Sequence, residues 1–227
     1  DGVICWGLDE MHPIVQDLAG TSLPVILIGF PSSSPGISYV KGDDYDGARQ
    51  AVRLLYEQGY RAIAHISAPM GSCIGRERYM GYRKEMEVLG MSMPGGYLRF
   101  GDFTEPSGYA CMKELLALDC IPDAVFAGND YMAYGAMQAI EEAGLRIPDD
   151  IALVGADDSE LARLVRPRLT SIRLPMYGMG IRAAQRLFQM IESPTDEVGG
   201  DVLPEELVMR ESSGPKRSFK QALRCRS

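Results

Sequence analysis

Histidine is almost missing from this 227-residue chain, which has two, and its five cysteines (Cys5, Cys73, Cys111, Cys120, Cys225) are scattered without a C-x-x-C pair. Cys/His metal chemistry therefore has little to build on, and free, mostly buried thiols in a reducing compartment are the expectation. No apolar run approaches membrane-spanning length, and no secretory signal stands before the first strand. Positive charge is also short: 23 Lys and Arg against 31 Asp and Glu leave a formal charge of −8. Gripping a phosphate backbone needs a basic face, so DNA binding by this segment itself is not expected. Catalytic signatures are missing too. No G-x-S-x-G surrounds Ser67, Ser72 or His65, and no glycine-rich turn ends in the lysine-serine of a phosphate cradle. Neither an enzyme nor a bound metal or cofactor is expected.

What is present is a regular alternation. With 46% hydrophobic residues the chain can bury one large core or two smaller ones. Short β-rich runs are expected to be strands at Val3–Trp6, Val25–Ile28, Ala62–Ser67, Tyr97–Phe100, Ala124–Ala127, Ile151–Gly155, Ser171–Leu174 and Glu206–Met209. Between many of them lie stripes at helical spacing. One carries Ala48, Ala51, Val52 and Leu55 and stops at Gly59; another carries Tyr79, Tyr82, Met86 and Leu89 and stops at Gly90. A third has Met132, Ala136 and Ile140 and ends at Gly144, and a fourth has Met179, Ala183, Leu187 and Met190. Glycine readily takes the left-handed conformation that ends a helix. The alternation predicts an α/β fold of parallel sheets with right-handed crossovers and helices on both faces.

The segment Pro122–Gly180 carries most of the functional information. Two apolar strands in it end in small polar clusters, Asn129-Asp130 and Asp157-Asp158. Ligands bind outside the carboxyl ends of strands in open α/β sheets, so these clusters point to a small-molecule site. Each residue also has a structural reading. Asn and Asp are preferred helix N-caps, so one of Asn129 and Asp130 can cap while the other faces a ligand. Asp158 can cap the segment SELARLV, and Asp157 alone is balanced between ligand and structural roles. By spacing alone Arg78 reads as a solvated arginine near a helix start. Phe103 and Trp6, the single tryptophan, read plainly as packing or else as aromatic faces for a ligand, and for Trp6 the two readings are evenly balanced.

Several motifs in order, VKGDDYDGARQAVRLLYEQGYRAIAHIS, RERYMGYRKEMEVLGM, GDFTEPSGYACMKELLA, GNDYMAYGA, EEAGLRIPDDIALVGADD, RPRLTSIRLPMYGMG and ELVMRES, resemble the effector-binding region of LacI/GalR-type bacterial transcription regulators. The resemblance runs from Asp1 to about Ser212. It implies a two-lobed fold like that of type I periplasmic binding proteins, with the ligand between lobes. On that model residues 1–60 and about 175–195 form the N-terminal lobe. Residues 61–172 with the last strand (203–212) form the C-terminal lobe, and residues 213–227 form a basic, solvated tail. The resemblance assigns ligand contact to Arg78, Asn129 and Asp157, adds Phe103 and Trp6 as aromatic neighbours, and leaves Asp130 to cap or hold a hinge.

It further implies a sugar or related metabolite as effector, a homodimer built on helices such as Arg76–Leu89 and Met132–Ala143, a cytoplasmic location and no membrane. Operator DNA would be read only by a helix-turn-helix segment that this chain lacks. Two βα units that family members carry ahead of Val3–Trp6 are also missing, so the N-terminal lobe is expected to be incomplete. Gly29 and Leu174 stand where relatives often carry polar residues, which points to a ligand that is less hydroxyl-rich than a plain monosaccharide or is read mainly from one lobe. The alternative is a solute-binding protein of a sugar importer, which shares the fold.

Overall fold

A computed structural model of the chain describes residues 1–9, 11–193 and 199–216. The elements follow in the order β1 (Val3–Trp6), α1 (Pro13–Ala19), β2 (Val25–Ile28), β3 (Ile37–Gly42), α2 (Asp44–Glu57) and β4 (Ile63–Ser67). Next come α3 (Cys73–Val88), β5 (Leu98–Phe100), α4 (Glu105–Leu116), β6 (Ala124–Ala127) and α5 (Asp130–Glu142). The chain continues with β7 (Ala152–Asp157), α6 (Glu160–Leu164), β8 (Thr170–Arg173), α7 (Met176–Glu192), β9 (Gly200–Leu203), β10 (Glu206–Val208) and a 3₁₀ turn at Glu211–Ser213. They form two compact units, Asp1–Asp43 with Pro175–Glu205, and Asp44–Leu174 with the residues from Glu206 onward.

The first unit holds a parallel sheet of order β1-β2-β3-β9. All four residues of β2, Val-Ile-Leu-Ile, are buried, as an interior strand covered on both faces requires. Val15 of α1 packs with Cys5, Val25, Leu27 and Ile37, while α7 lies against β1, β2 and β3.

The second unit holds a sheet of order β10-β8-β7-β6-β4-β5, parallel except for β10. Side chains alternate across a strand, and here both sets are buried. Val125 and Ala127 of β6 join Ile66 and Leu153 beneath α4 and α5, whereas Ala124 and Phe126 join Ile63 and Val154 beneath α2 and α3. The helices in each pair approach very closely. A β-carbon on Gly108 of α4 would lie 2.1 Å from the carbonyl oxygen of Met132, and one on Gly135 of α5 would lie 2.0 Å from that of Glu105. On α3, a β-carbon on Gly81 would lie 2.2 Å from the carbonyl of Tyr45. Glycine is needed there because a methyl group would push the helices apart.

Several expectations change. Residues 44–60, expected with the N-terminal lobe, pack in the second unit, because Ala48, Ala51, Val52 and Leu55 share a core with Tyr82 and Met86. Residues 194 and 195 of the expected first lobe lie outside the described residues. Strands β3 and β9 were not anticipated. Ser212 and Ser213 are fully buried, and Ser212 Oγ donates to the Leu153 carbonyl at 2.6 Å. Lys216 Nζ pairs with Asp123 at 2.5 Å, so residues 213–216 are not a solvated tail. The expected tail beyond them lies outside the described residues. Cys5, Cys73 and Cys111 are thiols outside any disulfide, whereas Cys120 is disulfide-bonded. Among the described residues no helix is long and apolar enough to cross a membrane, and no three His, Cys, Asp or Glu side chains gather as a metal site.

Candidate functional site

Four of the five residues singled out from the sequence lie in the second unit, at or after the carboxyl ends of neighbouring parallel strands. Arg78 sits on α3, the helix after β4, whose N-terminus is capped by Ser72 accepting from Gly75 N at 2.9 Å. The solvated reading of Arg78 is overturned: it is only 2% exposed. Its Nε donates to Asp44 Oδ1 at 2.8 Å, Nη2 donates to Asp157 Oδ1 at 3.0 Å, and Nη1 donates to the Gly128 carbonyl. A planar guanidinium is suited to holding several oxygens in one plane. Removing one partner of a buried ion pair costs about 3–5 kcal/mol, so Arg78 is fixed rather than free to swing.

Asp157 ends β7 and is the open member of this group, its side chain 41% exposed. Among the described residues the non-glycine residues with positive φ are Phe103 (71°), Asp157 (104°) and Asp158 (49°). Such backbone costs on the order of 1–3 kcal/mol per residue and collects at functional sites, held by surrounding contacts. Arg78 is one such contact for Asp157.

The cap belongs to Asn129, not Asp130. Asn129 is extended, with φ −159°, and its Oδ1 accepts from Met132 N at 2.9 Å. Its Nδ2 donates to the Phe103 carbonyl at 3.0 Å. The adjacent Gly128 accepts from Arg78, so one chain of contacts runs from Asp157 through Arg78 and Gly128–Asn129 to Phe103.

Asp130 instead ties β8 and the loop before α6 to the start of α5. It accepts from Ser171 Oγ at 2.6 Å, Ser159 N at 2.7 Å and Ser159 Oγ at 2.9 Å. Burial pushes its carboxyl up to about 6, outweighing these hydrogen bonds, which favour the charged form.

Asp158 does not cap SELARLV either; Ser159 takes that position without a side-chain cap bond. Asp158 is buried and pairs with Arg173 at 2.7 Å, Arg163 at 3.3 Å and Arg210. Burial pushes its carboxyl upward, yet hydrogen bonds from Arg173 and Arg210 outweigh that and hold it below the usual range. It therefore locks β7, β8 and the segment after β10 together.

Trp6 ends β1 in the first unit and is 54% exposed. Gly29 follows β2 with φ 96°, a conformation that side chains rarely adopt, and donates its N–H to Val40 at 2.9 Å. The turn thus demands glycine for backbone reasons. Leu174, partly buried, is the last residue before the second unit passes to Pro175. Neither His65 nor Ser72 is offered to a substrate. His65 is fully buried between the rings of Tyr82 and Phe126, its Nδ1 lies 2.8 Å from the Phe126 carbonyl, and burial lowers its pKa to about 4. The member of this buried cluster missed in the sequence is Asp44. Two adjacent acids at a helix start read as ordinary first-turn charge, and nothing local says that one is buried against an arginine 34 residues away.

Comparison with known proteins adds an independent line. Residues 52–213 match the model of a periplasmic binding protein-like domain. The chain is 38% identical over 214 residues to the HTH-type transcriptional regulator CelR of Thermobifida fusca, covering 93% of this chain and 63% of that protein. It is 33% identical over 213 residues to the HTH-type transcriptional repressor PurR of Pasteurella multocida, covering 93% and 64%. The chain thus spans a little under two thirds of the length of these curated relatives. A solved complex of the transcriptional regulator CelR with cellobiose superposes with a TM-score of 0.85 at 39% identity, covering 93% of this chain and 65% of that one. A regulatory protein of the LacI family from Chloroflexus aggregans gives a TM-score of 0.85 at 32% identity, covering 94% and 77%.

Proposed function

This chain belongs to the LacI family through its periplasmic binding protein-like domain, and from that premise we propose that it is the effector-binding part of a cytoplasmic transcriptional regulator. The observation that carries the proposal is the buried Arg78 guanidinium presented beside the half-exposed Asp157 carboxylate at the strand ends of the second unit. Together they offer an acceptor and donors to neighbouring hydroxyl groups. A sugar or related metabolite is the effector, in keeping with the cellobiose that the solved CelR complex carries. Phe103 shapes the site through the Asn129 bond.

The site binds and does not react. The effector acts on transcription by favouring one of two states of the full-length protein, and it does so only to the extent that its affinities for them differ. Operator contact belongs to a helix-turn-helix segment outside these 227 residues. A solute-binding protein is disfavoured because CelR and PurR, which the chain resembles over 93% of its length, are regulators.

The working unit is a homodimer. A surface depression of about 370 Å³ is lined by Tyr134, Met137, Leu161, Leu164 and Val165 together with the polar Gln138, Glu141 and Arg166, and Leu164 is 65% exposed. Apolar side chains gathered around a groove fit a self-complementary interface better than open solvent.

A thermal-shift screen of sugars, sugar phosphates, nucleobases and amino acids tests the effector reading. A sugar should raise the melting temperature, and Asp157→Ala should abolish that response. An unchanged response in Asp157→Ala would place binding elsewhere and overturn the reading.

A further inference from the structure

We propose that Asp44 sets the ligand class of this site, making it select uncharged hydroxylated molecules and reject their phosphorylated or carboxylated counterparts. The inference rests on reading Arg78 and Asp157 as the effector site. A buried arginine with a free edge is a natural receptor for phosphate or carboxylate, since its fork pairs with two oxygens at once. Arg78 is not presented that way. Asp44, with a side chain 3% exposed, occupies Nε at 2.8 Å; the Gly128 carbonyl occupies Nη1; and Asp157 occupies Nη2 at 3.0 Å.

One cation thus faces two carboxylates. Asp44 is the first residue of α2, where the partial positive charge of a helix N-terminus favours its ionised form. It cannot withdraw to make room for another anion, because it is buried. Asp157 can move, but it is also the first charge that an incoming ligand meets.

An anion reaching Arg78 therefore lies close to two like charges. A hydroxyl meets no such penalty. It donates to Asp157 and accepts from the guanidinium, so the ion pairs survive its arrival. At separations of 4–6 Å in a partly buried site, like-charge repulsion of this kind amounts to at least about a tenfold loss of affinity.

Titration calorimetry on the 227-residue chain tests this with matched probes: glucose and glucose 6-phosphate, ribose and ribose 5-phosphate, and cellobiose and cellobiose 6-phosphate. The wild type should bind the neutral member of at least one pair, by at least about tenfold over its phosphorylated partner. Asp44→Asn should narrow that ratio by about tenfold, whereas Asp44→Glu, which keeps the charge, should preserve it. A wild-type preference for the phosphorylated member overturns the proposal. So does an unchanged ratio in folded Asp44→Asn; if that variant does not fold, the wild-type ratio decides alone. Asp157→Ala separates the two levels of the argument. Binding lost in Asp157→Ala together with a wild-type preference for phosphate overturns the role of Asp44 only. Binding that Asp157→Ala leaves intact, or no binding of any neutral probe, overturns the site and the role of Asp44 together.

Discussion

The side-chain amide of Asn129 donates to the carbonyl of Phe103 over 3.0 Å while its oxygen caps the first turn of α5 at Met132 N over 2.9 Å. One residue thereby joins two loops that follow different strands, and it fixes the left-handed turn at Phe103. Loss of a cap costs about 1 kcal/mol, and loss of a partly buried hydrogen bond costs about 1 kcal/mol more. Asn129→Ala should therefore lower stability by about 2 kcal/mol in urea unfolding. Asn129→Asp keeps the capping oxygen and loses only the donor, so it should cost about half as much. Equal losses in the two variants would mean that the Met132 cap contributes nothing, and an Asn129→Asp variant as stable as the wild type would mean that the Phe103 bond contributes nothing.

Asp130 gives the fold a pH dependence of unusual sign for a carboxylate. Its pKa in the folded chain is about 6, against 3.8 for the unreacted group, so the folded state favours the protonated form. A raised pKa supplies stability that is fully present below the unfolded value and is lost as pH rises through the folded value. The window is therefore about pH 4 to 6.5, and the span is about 3 kcal/mol. We expect the stability of the wild type, measured relative to Asp130→Asn, to fall by about that amount from pH 4 to pH 7. A difference that is flat or rises across this range would refute the assignment. The comparison cancels acids such as Asp201 and Glu211, which arginine hydrogen bonds hold below the usual range.

Glycines separate packing demands from mere propensity. Gly108 and Gly135 lie where α4 and α5 touch, and an added β-carbon would meet backbone oxygen at 2.1 and 2.0 Å. Either Gly→Ala change should destabilise by about 2–4 kcal/mol, as overpacking against an unyielding backbone does. Gly180 lies in α7 with nothing within 4 Å of its β-carbon position. There Gly→Ala should stabilise by about 0.5–1 kcal/mol through helix propensity. Thermal melts of the three variants would test the contrast, and a destabilised Gly180→Ala would count against it.

The proposed dimer has a direct readout. Leu164 is exposed at the rim of the depression formed with Tyr134 and Leu161. Leu164→Glu should convert a dimer to a monomer in sedimentation velocity while leaving the melting temperature of the second unit within about 2 °C, since surface substitutions change little. A wild-type chain that sediments as a monomer at tens of micromolar would remove the interface from consideration.

How far the sequence reached is clearest at particular residues. The run Ala124–Ala127 is short, apolar and followed by a helical stripe, and that local pattern was enough to place a buried parallel strand before α5. Strand and helix identity follow from backbone preference and side-chain period, which a window of ten to twenty residues contains. Strands β3 and β9 escaped because glycines end or begin them, and because their pairing, Tyr39 beside Gly200, joins distant segments. The polar residues divided in the same way. Sequence alone determined that Asn129 or Asp130 would cap α5, since the cap chemistry lies within four residues. Only the tertiary structure decided that Asn129 does so, that Asp130 is held by Ser159 and Ser171, and that Arg78 is buried between Asp44 and Asp157. Those partners lie 29 to 79 positions away along the chain. They meet because strand order and crossover handedness bring the ends of β6, β7 and β8 and the start of α2 together, and no local preference encodes that meeting.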